Sequence, residues 1–80
     1  MGRSTIQSNI RTLRFHASEM TQQELADKVA VSRQTIVAIE KGRYSPSLDL
    51  AFRIANVFGK TVDEVFTYHP TVKDEKKKKS

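Results

Sequence analysis

Eighty residues make one small domain, and a chain this short buries only about 60% of the surface it exposes when unfolded, so its core alone leaves it marginally stable. Cysteine is absent, which excludes disulfides, Cys-based zinc sites and thiol catalysis. No apolar run approaches the roughly 20 residues of a membrane-spanning helix, the first residues lack a signal-peptide core, and Ile6 breaks the myristoylation pattern.

The expectation is a cytoplasmic basic domain that gains stability by self-association. Its net charge is +5, but residues 73–80 alone carry five Lys against Asp74 and Glu75, a net +3. Adjacent lysines repel and have nothing apolar to fold on, so 73–80 reads as a disordered tail, solubilising or in non-specific contact with phosphates.

In chain order, Ile6, Ile10 and Leu13 recur at helical spacing and predict a first helix over 6–17. Thr21-Gln22-Gln23-Glu24 has the pattern of a capping box, with the Thr hydroxyl and the Glu carboxylate each accepting the other's backbone N–H. It opens a second helix over 22–29, with Leu25, Ala26 and Val29 on one face. Ala30-Val31 leaves a very short connection. Ser32 caps a third helix over 33–41, which stops at Gly42. Residues 42–47 form a loop, in which Pro46 disfavours helical backbone at Ser45. Ser47 caps a fourth helix over 48–58, with Leu48, Ala51, Ile54, Ala55 and Phe58 inward and Gly59 at its end. Thr61-Val62-Asp63-Glu64 is a second capping box and opens a fifth helix over 62–66. From Thr67 the pattern turns extended, and Thr67–His69 can pair with residues 3–5 as a short terminal β-ribbon.

The fold class is therefore all-α, a compact five-helix domain with room for that ribbon. The chain divides into an N-terminal arm at 1–5, the domain at 6–66, an extended arm at 67–72 and the tail at 73–80.

The third helix carries the chemistry. Ile36, Ile39 and Glu40 share one side and are expected inward. Arg33, Gln34, Val37, Ala38 and Lys41 fall together on the other. That outer face opens with two long hydrogen-bonding residues, continues with two small apolar ones and ends in a cation. Arg matches guanine O6 and N7, Gln matches adenine N6 and N7, and Val can touch the thymine methyl. A cation in the first helical turn opposes the helix dipole, so Arg33 calls for an anionic partner.

The stretch TQQELADKVAVSRQTIVAIEKG, with a helix-turn-helix at 22–41, resembles the DNA-binding domain of the lambda-repressor/Cro (xenobiotic response element) family. The resemblance runs from about Ile10 to Phe66 and includes Pro46-Ser47-Leu48 with Leu50-Ala51. It implies a lambda-repressor-like fold and binding of double-stranded DNA. Arg33 and Gln34 would touch base edges; Val37 and Thr35 would assist, Val37 at the bases and Thr35 on the backbone. Gln22, Ser32, Lys41 and Arg43 would hold phosphates. Arg14 and Glu40 match the family's internal ion pair between the first and third helices. The loop after Arg14 is about one residue longer than the family's usual spacing.

Phe52, Val57, Phe58, Val62, Val65 and Phe66 offer more apolar surface than one small core needs. Val57, Val62, Val65 and Phe66 are read as a homodimer face, matching a two-fold, pseudo-palindromic operator, the alternative being a well-filled core within one chain. The leading reading is a sequence-specific dimeric transcription regulator, a repressor by expectation. The rival is an antitoxin or protein-interaction module, whose third-helix face would carry acids or large apolar residues instead. An enzyme has no supporting constellation: no phosphate-cradling glycine loop occurs, and Asp63-Glu64 reads as dipole compensation. His16 and His69 lack metal-ligand spacing, and neither metal nor cofactor is expected.

Overall fold

The computed structural model describes residues 6–68. The expectations for the arm at 1–5, for the extended arm from His69 to 72 and for the tail at 73–80 lie outside the described residues. In order, the elements are β1 (Ile6–Ser8), α1 (Ile10–His16), α2 (Gln22–Val29), α3 (Arg33–Glu40), α4 (Leu48–Phe58), α5 (Val62–Val65) and β2 (Phe66–Tyr68).

Four of the five helices start where a Ser or Thr was expected to cap them. The Thr21 hydroxyl accepts from the Glu24 N–H at 2.9 Å and the Glu24 carboxylate accepts from the Thr21 N–H at 2.8 Å. Ser32 accepts from the Thr35 N–H at 3.2 Å, and Ser47 from the Leu50 N–H at 3.1 Å. At α5, the Glu64 carboxylate accepts the Thr61 N–H at 2.9 Å, while the Thr61 hydroxyl donates to Asp63 at 2.6 Å. These contacts satisfy donors that a helix start leaves without intrahelical partners.

The first helix departs from its expected span. It begins at Ile10, because Ile6–Ser8 pairs antiparallel with β2 in the register Ile6↔Tyr68, Gln7↔Thr67, Ser8↔Phe66. The expected ribbon is present, but Thr67 faces Gln7 rather than residues 3–5. Asn9 fixes the corner: its N–H reaches Val65 O at 2.7 Å, and its side-chain amide donates to Glu64 O at 3.1 Å. Beyond α1, Ser18 and Glu19 take positive φ angles of 59° and 58°. That turn brings the Met20 N–H back to Arg14 O at 2.9 Å, and so absorbs the extra loop residue.

Ile10, Leu25, Val29, Ile36, Ile54 and Val65 form the centre of the core, each less than 2% exposed. Leu13, Met20, Val31, Val57, Phe58, Val62 and Phe66 pack around it half-buried. Leu48, expected inward, is 72% exposed. Leu50 occupies the core instead, since it stands one turn before Ile54 on the face that α4 turns toward α2.

The turn between α2 and α3 is the tightest feature of the fold. Ala30 ends α2 in the left-handed region at φ 61°, and the Val31 N–H returns to Ala26 O at 3.0 Å. An L-residue there costs about 1–2 kcal/mol, and glycine adds chain entropy to the unfolded state of about 0.4–1 kcal/mol. Ala30→Gly is therefore expected to stabilise the domain by about 0.5–1 kcal/mol. A urea denaturation midpoint that fell instead would show that the methyl group packs favourably.

Candidate nucleic-acid interface

Helix α3 is held from both ends and from behind. Ile36 and Ile39 anchor it, at 0% and 3% exposure. At its C-terminal end Glu40 accepts two hydrogen bonds from Arg14, from Nε at 2.8 Å and Nη2 at 3.2 Å. The remaining Arg14 nitrogen donates to Met20 O at 2.8 Å. Both side chains are largely withdrawn from water, at 15% and 10% exposure. The fork geometry fixes the rotation of α3 against α1, because a bidentate Arg–carboxylate pair tolerates little misalignment.

Gln22 joins this network. Its amide nitrogen donates to Glu40 Oε1 at 3.0 Å, so the residue read as a phosphate ligand also braces the end of α3. Arg53 is a residue that the sequence reading passed over. Its Nη1 donates to Val29 O at 2.7 Å and its Nη2 pairs with Asp49 at 3.0 Å. A cation on the last carbonyls of α2 complements the negative end of its dipole and steadies the turn into α3. Arg53 lies 24 positions from Val29, and no local pattern announces that contact.

The outer side of α3 is left to solvent. Arg33 and Gln34 are exposed, Val37 and Ala38 half-buried, and Lys41 exposed just past the helix end. Residues 33–34, 37–38 and 41, set apart in the sequence by two residues each time, thus share a single open face. Ser32 and Arg43, exposed, flank it at either end; Thr35 is half-buried, its hydroxyl 3.0 Å from that of Ser32. Tyr44 is 48% exposed and borders a shallow groove with Ser32, Gln34, Thr35 and Ala38.

The apolar residues read as a dimer face divide. Val57, Val62 and Phe66 are half-buried on α4, α5 and β2. Val65 is corrected: it is fully buried within one chain, because α5 turns it into the core, and it has no side-chain surface to offer a partner. Phe52, at 58% exposure, adds apolar surface on α4. Among the described residues, no group of His, Asp and Glu has the arrangement of a metal site, and no helix is long and apolar enough to cross a membrane.

A helix-turn-helix family model matches residues 10–65. The chain is 59% identical over 49 residues to an uncharacterised HTH-type transcriptional regulator of Methanocaldococcus jannaschii, covering 61% of this chain and 74% of that protein. It is 56% identical over 61 residues to another such regulator, of Methanothermobacter thermautotrophicus, covering 71% and 88%. At 35% identity over 71 residues it is also similar to the cryptic phage CTXphi transcriptional repressor RstR of Vibrio cholerae, covering 89% of this chain and 63% of the repressor. The match spans α1 to α5, including the capped helix pair, the Arg14–Glu40 brace and the open face of α3. The chain belongs to the lambda-repressor/Cro-like helix-turn-helix family of transcriptional regulators.

Proposed function

We propose that this protein is a sequence-specific, dimeric DNA-binding repressor that reads the major groove with α3. The observation that carries the reading is the division of that helix: Ile36 and Ile39 are buried, while Arg33, Gln34 and Lys41 lie open to solvent with Val37 and Ala38 between them. Arg33 and Gln34 pair with base edges, and Val37 meets a thymine methyl. Gln22, Ser32, Thr35, Lys41 and Arg43 fix the register on phosphates without reading sequence. Gln22 does this with the part of its amide that Glu40 does not occupy.

Two copies meet through Val57, Val62 and Phe66, with the operator's two-fold axis between them. Repression follows from occupancy of promoter DNA, a physical block that needs no catalytic group. The likeness to a phage repressor supports this sense of regulation. Such a DNA partner places the protein's action in the cytoplasm.

Selection of bound duplexes from a random pool is the direct test. The expected consensus is two inverted half-sites, centred one helical turn apart, about 34 Å. Bound fragments with no shared sequence would overturn base readout, and a single unrepeated half-site would overturn the dimer.

A further inference from the structure

We infer that the cleft between β1, α1 and the C-terminal end of α3 is a phosphate seat, in which Arg11 and Lys41 share one backbone phosphate of the DNA. This rests on the DNA-binding function proposed above and adds residues that the helix-turn-helix itself does not contain. The cleft has a volume of about 340 Å³ and is lined by Ser8, Arg11, Arg14, Gln22, Val37, Glu40 and Lys41. It opens beside Val37 and Lys41, so an α3 seated in a groove brings the bordering sugar-phosphate strand to its mouth.

The electrostatics of the cleft decide what it accepts. Its one acid among the described residues, Glu40, is engaged by Arg14 and by the Gln22 amide. That leaves Arg11 and Lys41, both exposed, and neither forms an ion pair among the described residues. Two cations without an acidic partner among the described residues line one small cleft, and the positive local field they set up favours an anion there. The Ser8 hydroxyl on β1 adds a neutral donor of the kind that holds phosphate oxygens. The ribbon thereby has a role in binding: pairing of Ser8 with Phe66 fixes the wall from which that hydroxyl is presented.

The test is a salt titration of full-length protein on a mixed-sequence duplex, comparing wild type with Arg11→Gln, Lys41→Gln, the double variant and Lys60→Gln. Lys60→Gln removes the same unit charge at an exposed site outside the cleft. Arg11→Gln and Lys41→Gln are each expected to weaken binding about three- to tenfold and to flatten the salt dependence by up to about one phosphate contact. Lys60→Gln should change the slope little. Because the two cations share one phosphate, the double variant should lose less than the product of the single losses.

Melting temperatures should be unchanged, since Arg11 and Lys41 have no side-chain partner to lose among the described residues. If Arg11→Gln matches Lys60→Gln while Lys41→Gln weakens binding, the seat is refuted and the DNA-binding function stands. Losses that multiply place the cations on separate phosphates and also refute it. No binding by wild type at low salt refutes both.

Discussion

Glu40→Ala is expected to destabilise the folded protein by about 3–5 kcal/mol, the cost of leaving a desolvated charge without its partner. Arg14 is 15% exposed and donates two hydrogen bonds to Glu40, so truncation strands most of its guanidinium with only Met20 O as an acceptor. Gln22 loses its acceptor in the same step. A domain of this size has roughly 3–9 kcal/mol of total stability, so the variant should melt about 15–30 °C lower. Replacing Arg14 and Glu40 together by Met should recover much of that loss, since no buried charge then remains. A fall of under about 5 °C for Glu40→Ala would show that water or another acceptor compensates Arg14.

Arg33→Ala is expected to separate specificity from affinity. At the contacted base it should lose about 1–3 kcal/mol of discrimination. Binding to unrelated sequence should fall much less. The folded protein itself should gain slightly, by about 0.3–1 kcal/mol, because a cation in the first turn opposes the dipole of α3. Opposite signs for stability and discrimination are the signature of a residue kept for its ligand. Competition binding with single-base operator variants reads the first, and urea denaturation of the free protein reads the second. Equal losses on all sequences would reassign Arg33 to the phosphate backbone.

How legible each of these features is depends on the distance over which its cause acts. Thr21, Ser32, Ser47 and Thr61 sit within three residues of the N–H or carboxylate they engage, and their helices were readable from local pattern alone. Ile6 fits helical spacing with Ile10, yet its pairing with Tyr68 prevails over that periodicity. Spacing cannot see a strand partner from the other end of the domain. Leu48 and Leu50 look alike as apolar residues of α4, and only the position of α2 decides which one is buried. Val65 fits a partner-facing position by sequence for the same reason: a run of apolar residues shows that a surface must be covered, not whether the chain's own core covers it. The Arg14–Glu40 pair became legible through resemblance, whereas Arg53 on the Val29 carbonyl had no signal of either kind. Most of the outer face of α3 is legible because four of its five residues lie on one regular helix, with Lys41 following at the C-cap.

The β-ribbon has a topological consequence. Ile6 and Tyr68 are cross-strand neighbours, which places their backbones about 5 Å apart. Residues 6 and 68 therefore stand side by side, like the two ends of a closed clasp. Such a unit can be spliced into a surface loop of a carrier protein without forcing the loop's ends apart. A short peptide bridge between the two strands would likewise close the backbone into a ring, leaving the outer face of α3 untouched.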